Sequence, residues 1–316
     1  MSKPTYVRVA HWIATCLLYL ITVSDVAAHP WGGLVVDREG NIYFTFVCPF
    51  SSDDHYACVW KMRGEEVAPS LTSTRSPSDL ILARSPSREL FAGERYGSSN
   101  AFVSSLWQLG TADWELVVGP SRDDATFHVQ AFTIDDAGNV IYAVENQLYK
   151  RTAGGNVSAL SVQASFGRID VLAYGDDGLL YVMDRSTLYV VDIASGATEV
   201  RAAKLKADNP SNLPFSGANI LFDMAVDATG NVYLAYFGNR EVLKVDRSGV
   251  VTQFLESEGP WSPHGIDLYQ GEVYVLESTV GGQPWWKFWA KTPLWPRVRK
   301  VLPAGDVVTL FTYNGG

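Results

Sequence analysis

Seven side chains able to bind a ligand or transfer a proton stand just ahead of apolar strands that recur along the chain. They are two imidazoles, three carboxylates, a carboxamide and an indole: Trp31, Asp79, His128, Gln130, Asp170, Asp223 and His264. Imidazoles and carboxylates hold divalent ions or move protons, and an indole adds apolar surface. This mixture predicts a site for a small polar ligand or a divalent cation. Its ligand-binding candidates are Trp31, His128, Asp170, Asp223 and His264.

Known catalytic motifs are missing from the sequence, so the catalytic residues stay unassigned. There is no nucleophile elbow, phosphate loop, dinucleotide fingerprint or paired CxxC zinc motif. The net charge of −9 also argues against a nucleic-acid partner, because phosphate backbones are bound by clustered Lys and Arg.

The elements that must position these side chains are visible as internal repeats. An apolar strand, a turn ending in Gly and an apolar–aromatic pair recur, most clearly in 34–43 and 224–233. The landmark aromatics lie 39 to 52 residues apart, at Tyr43, Phe91, Tyr142, Tyr181, Tyr233 and Tyr274. Each copy is followed by two more short alternating strands around a turn. The copy ending at Tyr142 has one extra residue after its Gly, which predicts a bulge or a slip at this place.

Six units of four short strands are typical of a β-propeller. The sequence therefore predicts an all-β, six-bladed propeller with four-stranded antiparallel blades over residues 29–316. The expected blades are about 29–72, 78–119, 127–163, 168–203, 216–256 and 262–313. The first strand of each blade should line a central channel, so that the seven side chains gather at one face.

Two stretches carry a family resemblance. Gly230-Asn-Val-Tyr233 followed by Val242-Leu-Lys-Val-Asp-Arg-Ser-Gly249 resembles an NHL repeat. Trp261-Ser-Pro-His-Gly-Ile266 with Glu272-Val-Tyr-Val-Leu-Glu277 resembles SMP-30/gluconolactonase-like propellers. The resemblance covers most of residues 29–313. It implies the six-bladed fold and is less specific for activity, since such blades serve both enzymes and binding scaffolds.

The enzymes of that family imply a central Ca²⁺, Mg²⁺ or Mn²⁺ held by Glu, Asn and Asp where the blades begin. This chain departs from the pattern. Its first blade begins His29-Pro-Trp-Gly, without a Glu, and His264-Gly265 replaces the family's Asn-Gly or Asp-Gly. Asp170 and Asp223 are the remaining carboxylates near the right place. A divalent cation is therefore possible but not firmly implied.

An aromatic insertion in the sixth blade, residues 281–296, is the second candidate site. Its indoles are Trp285, Trp286, Trp289 and Trp295, with Lys287 and Lys291 nearby. An exposed cluster of this kind usually has a binding purpose. Three interpretations stay open: a lid over the channel, a docking surface for a protein or the membrane interface, and packing against the blade edge.

The first 28 residues predict an export signal. An apolar run of 12 residues precedes Val26-Ala27-Ala28, so cleavage is expected after Ala28. The run is short for a membrane span, which needs about 20 residues, although a short anchor is the alternative. A secreted or periplasmic location would permit a disulfide between Cys48 and Cys58, two buried thiols being the other possibility.

Three functions fit these observations. The favoured hypothesis is an exported, non-enzymatic propeller that binds a protein, peptide or small ligand at the channel face. The alternative is a metal-dependent hydrolase of lactones or esters, as the resemblance implies. A third is a metal-free lyase or other enzyme using His128 or His264 as general base.

Overall fold

The computed structural model describes residues 33–48, 50, 56–73, 75, 78–97, 102–123, 126–205, 221–279 and 295–314. These ranges contain strands and turns, and no helix in them is long and apolar enough to cross a membrane. The predicted signal peptide and its alternative, a short anchor, lie outside the described residues, as do Trp31 and most of the aromatic insertion.

The first three blades are built from strands that are consecutive in the chain. Blade 1 contains β1 (Leu34–Val36), β2 (Ile42–Cys48), β3 (Tyr56–Arg63) and β4 (Glu66–Thr72). Blade 2 contains β5 (Ser78–Arg84), β6 (Leu90–Tyr96), β7 (Val103–Leu109) and β8 (Trp114–Ser121). Blade 3 contains β9 (Ala131–Ile134), β10 (Val140–Val144), β11 (Gln147–Arg151) and β12 (Val157–Ala159).

The last three blades follow the same plan. Blade 4 contains β13 (Ile169–Tyr174), β14 (Leu180–Asp184), β15 (Thr187–Val191) and β16 (Thr198–Ala202). Blade 5 contains β17 (Leu221–Val226), β18 (Val232–Tyr236), β19 (Glu241–Val245) and β20 (Val251–Glu256). Blade 6 contains β21 (Trp261–Tyr269), β22 (Glu272–Thr279), β23 (Pro296–Val301) and β24 (Val307–Thr312).

The six sheets close into a ring through their first strands. Each sheet is antiparallel, in the chain order first to fourth strand. The first strands touch in the sequence β1, β5, β9, β13, β17, β21 and back to β1. This confirms the predicted all-β, six-bladed propeller. The N-terminal ends of the first strands and the hairpins joining second and third strands share one side of the ring, called here the upper face.

The hydrophobic core is divided among the blade interfaces. Within the described ranges, six clusters of buried apolar side chains each join two neighbouring blades. Leu34 and Val36 of β1 pack against blade 6, while Val35 between them packs against blade 2. Successive side chains of a strand point to opposite faces, so each blade serves two interfaces with one alternating pattern.

The Asp-x-x-Gly-Asn turns explain why the repeats are recognisable in the sequence. In blade 1, the Asp37 amide donates to the Asn41 carbonyl at 3.0 Å, and Gly40 adopts a positive φ of 83°. The Asp37 carboxylate also accepts the Asn41 amide at 2.7 Å. Glycine tolerates this φ, and an Asp side chain readily bonds a nearby backbone amide, so the motif selects a tight turn.

Of the bulge or slip predicted at the Tyr142 copy, the bulge is not formed. β9 and β10 pair without a register shift, and their turn has the same hydrogen bonds as that of blade 1. The extra residue instead moves the aromatic by one position along the strand. Tyr142 therefore packs toward blade 2, whereas Tyr43 packs toward the blade that follows its own. A one-residue offset changes the face of a strand because its side chains alternate.

The predicted disulfide is confirmed. Cys48 and Cys58 are bonded across β2 and β3, with their Cα atoms 5.5 Å apart. The alternative of two buried thiols is thereby wrong. The bond closes the hairpin of the first blade at its upper end, next to segment 51–55, which lies outside the described residues.

Candidate functional site

Three neighbouring first strands carry a bulge at the same place on the upper face. In β13, β17 and β21 the register shifts by one residue, and the extra residues of these bulges are Asp170, Phe222 and His264. The residues that follow them, Val171, Asp223 and Gly265, are paired again. A bulge re-aims the side chain of its extra residue and is common beside functional sites. The fold thus brings two predicted candidates, Asp170 and His264, onto equivalent positions.

His264 is surrounded by aromatic rings of two other blades. Its ring centroid lies 6.4 Å from that of Phe46, 6.4 Å from that of Phe222 and 6.5 Å from that of Phe237. The residue is 1% exposed. Neither ring nitrogen has a hydrogen-bond partner within the part of the chain that the structure describes. Buried polar atoms are normally paired, so this imidazole has capacity left for a bound group.

Burial determines the protonation state of this histidine. Loss of hydration lowers the pKa of His264 to about 3. The imidazole is therefore neutral at pH 7, with one N–H donor and one bare nitrogen acceptor. It is a weak base in this state, because its conjugate acid releases the proton far below neutral pH.

Asp223 is held by the backbone. Its carboxylate accepts the amide of Met224 at 2.8 Å and that of Ile266, in β21, at 2.9 Å. Desolvation by burial is the main reason that the pKa of Asp223 rises to about 7, although these backbone hydrogen bonds lower it. The carboxyl group thus ties blade 5 to blade 6 two residues beyond His264, and it titrates near neutral pH.

Asp170 and Tyr236 occupy the neighbouring part of the upper face. Asp170 accepts a hydrogen bond from Arg168 Nε at 2.7 Å. Burial, with the negative charges of Glu241 and Asp170, raises the pKa of Tyr236 to about 12. The Tyr236 hydroxyl is buried and unpaired among the described residues. Blades 4, 5 and 6 therefore present a carboxylate, a hydroxyl and an imidazole near their upper ends.

The other described candidates belong to blades 2 and 3, and Trp31 lies outside the described ranges. His128 is half-buried on the connection from β8 to β9. Asp79 forms an ion pair with Arg95 at 3.0 Å in blade 2. Within the described segments, no group of three or more His, Cys, Asp or Glu is arranged to hold a metal ion.

Trp295 is the described member of the aromatic insertion. Its amide donates to Thr279 Oγ1 at 3.0 Å, and its carbonyl accepts the Thr279 amide at 3.0 Å. These bonds close the base of the insertion between β22 and β23. Trp285, Trp286 and Trp289 lie outside the described residues, so their predicted role as lid or docking surface stays a prediction.

A buried ionic cluster between blades 5 and 6 was not anticipated. Glu277 is fully buried and accepts Arg297 Nε at 2.7 Å, a close hydrogen bond from Arg299, and another from Ser257. Glu277 stands opposite Arg297 in the pairing of β22 and β23. Opposite charges stabilise such a pair, but the long insertion between the two strands hides their register in the sequence.

The aromatic side chains around His264 were not predicted, because their signal in the sequence is weaker. Phe222 directly precedes the candidate Asp223, Phe46 lies within β2, and Phe237 directly follows β18. Aromatic residues are common in the strands of any propeller, so only the ring geometry distinguishes those around His264.

Comparison with solved structures finds the same architecture in proteins of diverse roles. A streptogramin B lyase superposes with a TM-score of 0.54 at 11% identity, over 92% of this chain and 86% of that one. A luciferin-regenerating enzyme gives 0.52 at 14% identity, over 92% and 95%. An auxiliary nutrient binding protein from Bacteroides thetaiotaomicron gives 0.53 at 10% identity, over 78% and 66%.

At such low identities these similarities show the propeller fold alone. No protein-family profile and no curated protein sequence matches the chain. The NHL/SMP-30 assignment therefore stays a prediction at the level of the family.

Proposed function

We propose that the protein is an exported ligand-binding propeller whose upper face binds a small, neutral molecule with an aromatic or otherwise apolar body. The buried, unpaired imidazole of His264 is the observation that carries this proposal. A neutral imidazole offers one donor and one acceptor, and the rings of Phe46, Phe222 and Phe237 favour an apolar body over a charged one.

The Tyr236 hydroxyl and the Asp170 carboxylate extend the polar part of this site. Small-molecule sites are mostly apolar with a few polar groups that fix orientation, and the three bulged strands supply that combination. Export is supported by the Cys48–Cys58 disulfide, because such bonds persist in oxidising compartments.

The test is a titration of the purified protein with benzamide, phenol and indole. The imidazole NMR signals of His264 report the binding. Saturable shifts of these signals are expected with at least one probe. His264→Phe should abolish binding of the same probe while keeping the melting temperature close to that of the wild type, because phenylalanine fills a similar space among three phenyl rings. Absence of any shift at His264 would contradict the proposal.

The metal-dependent hydrolase is tested in the same preparation. The protein is dialysed against chelator, reloaded with Ca²⁺, Mg²⁺ or Mn²⁺ and assayed with gluconolactone and an aryl acetate. Turnover that requires the ion would replace the binding proposal. Turnover without any ion, lost in His264→Phe, would instead support the metal-free enzyme.

A further inference from the structure

Three guanidinium groups surround the short connection from β20 to β21. Arg299 Nη2 donates to Ser257 Oγ at 3.2 Å, and Arg297 Nη1 donates to Glu258 Oε1 at 3.0 Å. Arg240 lies against Gly259, where an added Cβ would come within 2.9 Å of its Nη1. All of these groups belong to the upper ends of blades 5 and 6.

The buried part of this cluster carries an excess of positive charge. Arg297 and Arg299 are each less than 10% exposed, and Glu277 between them is the buried carboxylate that they share. Two guanidinium groups against one carboxylate leave one positive charge. Burying an uncompensated charge is costly, so a further anion is expected at this place.

The cluster also contains donors that could bind such an anion. Arg297 Nη2, Arg299 Nε and Arg240 Nε are buried and have no hydrogen-bond partner in the described ranges. Trp261 covers the flat face of the Arg297 guanidinium at 4.3 Å from its ring centroid. With that face covered, a planar anion is expected at the edge of the guanidinium, where Nη1 and Nη2 form a fork.

Glu258 fills this position incompletely. Its side chain is 76% exposed, and it engages Nη1 but leaves Nη2 free. An exposed side chain tethered to a surface connection is readily displaced, since its ion pair is weak in water. A free carboxylate could take both arms of the fork, which is the stronger, bidentate arrangement.

We infer that Arg297, with Arg299 and Arg240 beside it, forms a binding site for the carboxylate of a small organic acid, and that Glu258 occupies this site as an internal competitor. A planar carboxylate matches the fork, and its negative charge offsets the positive charge that Glu277 leaves unbalanced. This site differs in charge and chemistry from the neutral, aromatic surroundings of His264, and the inference does not depend on the proposed function.

The experiment follows the arginine Nε–H NMR signals of Arg297 and Arg299 while sodium propionate is added at constant ionic strength. Propionate should shift both signals saturably, and its uncharged isostere propionamide should not. In Glu258→Gln the competitor loses its charge, so propionate should bind about tenfold more tightly. Glu256→Gln is the matched control, because it makes the same charge change at an exposed residue on β20 and should bind like the wild type.

Several results would overturn the inference. They are equal shifts with propionamide, equal affinity in Glu258→Gln and the wild type, and tighter binding in both Gln variants, which would indicate a general charge effect. Saturation by inorganic phosphate but not by propionate would also overturn the assignment to a carboxylate. Loss of benzamide binding in His264→Phe without loss of propionate binding would separate this site from the proposed one.

Discussion

At the scale of single residues, burial rather than ion pairing decides the chemistry of the upper face. His264 and Asp223 lie in adjacent strands, and neither has a charged partner in the contacts of the described residues. The same loss of hydration lowers the pKa of the imidazole and raises that of the carboxyl group, because in each case it disfavours the charged form. Both groups therefore tend to be neutral, which suits a neutral ligand.

The stability of the protein should fall in mild acid because of His264. Its pKa is about 3 in the folded protein against 6.5 for an ordinary histidine, so the unfolded chain binds the proton first as the pH falls. The contribution is fully present above pH 6.5 and is lost toward pH 3, by about 1.4 kcal/mol per pH unit within that window. Urea unfolding of the wild type and His264→Phe between pH 7 and pH 4 should give a shallower decline for the variant. Parallel curves would contradict this.

The contribution of Asp223 to stability should depend on pH in the opposite direction from that of His264, and Asp223→Asn tests this. The wild-type pKa of about 7 lies above the ordinary 3.8, so the stability that Asp223 contributes is present below pH 3.8 and is lost as the pH rises through 7. The amide group of Asn would face one of the two buried N–H groups, which costs about 1–3 kcal/mol. The variant should therefore be less stable at pH 5, and its deficit should shrink at pH 8.5. Urea unfolding at both pH values measures this deficit in the free energy of unfolding. A deficit that is larger at pH 8.5 than at pH 5 would contradict the prediction.

At the scale of elements, the repeats predicted the strands and turns but not the bulges. Turn chemistry is local, so the five residues from Asp37 to Asn41, with Gly40 among them, are enough to predict their hairpin. A bulge depends instead on how a strand fits its partner, and nothing in the alternation around Asp170, Phe222 or His264 marks the extra residue of the bulge. The candidate residues were thus located, while their directions and aromatic neighbours were not.

The offset at Tyr142 illustrates the same limit. Counting residues from the Gly detected an irregularity, but two structures could absorb it: a bulge, or a shift of the aromatic to the other face. In the interface with blade 2, the Phe127 ring contacts two rings edge-on. Its centroid lies 5.5 Å from that of Phe132 and 5.7 Å from that of Tyr142. Tertiary packing of this kind decides the outcome and cannot be read from one repeat.

The disulfide stabilises the first blade at the element scale. Because the bond closes a short loop, replacing Cys48 and Cys58 by Ser should lower the free energy of unfolding by about 2–3 kcal/mol. Urea unfolding of the oxidised wild type and the double variant measures the difference. A reducing agent should destabilise the wild type by a similar amount and leave the variant unchanged. Equal stability of the oxidised wild type and the variant would contradict a structural role.

At the scale of the whole molecule, the described strands close the ring between the first and last blades without sharing a strand between them. Every sheet consists of four consecutive strands, so the seam between β21 and β1 has no sheet hydrogen bonds across it. Asp267 of β21 bridges this seam. Its carboxylate accepts the Val36 amide at 2.9 Å and Arg84 Nε of blade 2 at 2.8 Å.

Blade 2 strengthens the same closure from the far side of β1. Arg88 Nη1 donates to the Val36 carbonyl at 2.7 Å and lies 3.4 Å from Asp267 Oδ2, and its Nη2 donates to the Leu268 carbonyl. Blades 6, 1 and 2 are thereby joined by one buried carboxylate and two arginines. The repeats could not reveal this arrangement, because Asp267 replaces an apolar residue that other blades have at the same position, such as Val35.

Asp267→Ala should therefore destabilise the whole propeller rather than one blade. The substitution leaves two poorly hydrated guanidinium groups and a backbone amide without their acceptor, and breaking a buried ion pair in this way costs about 3–5 kcal/mol. Asp306→Ala, an exposed aspartate in the last turn of blade 6, is the control and should change stability by less than about 0.5 kcal/mol. Thermal and urea unfolding measure both variants. If Asp267→Ala unfolds like the control, the seam is held by apolar packing between β21 and β1 alone, and the carboxylate has no part in closing the ring.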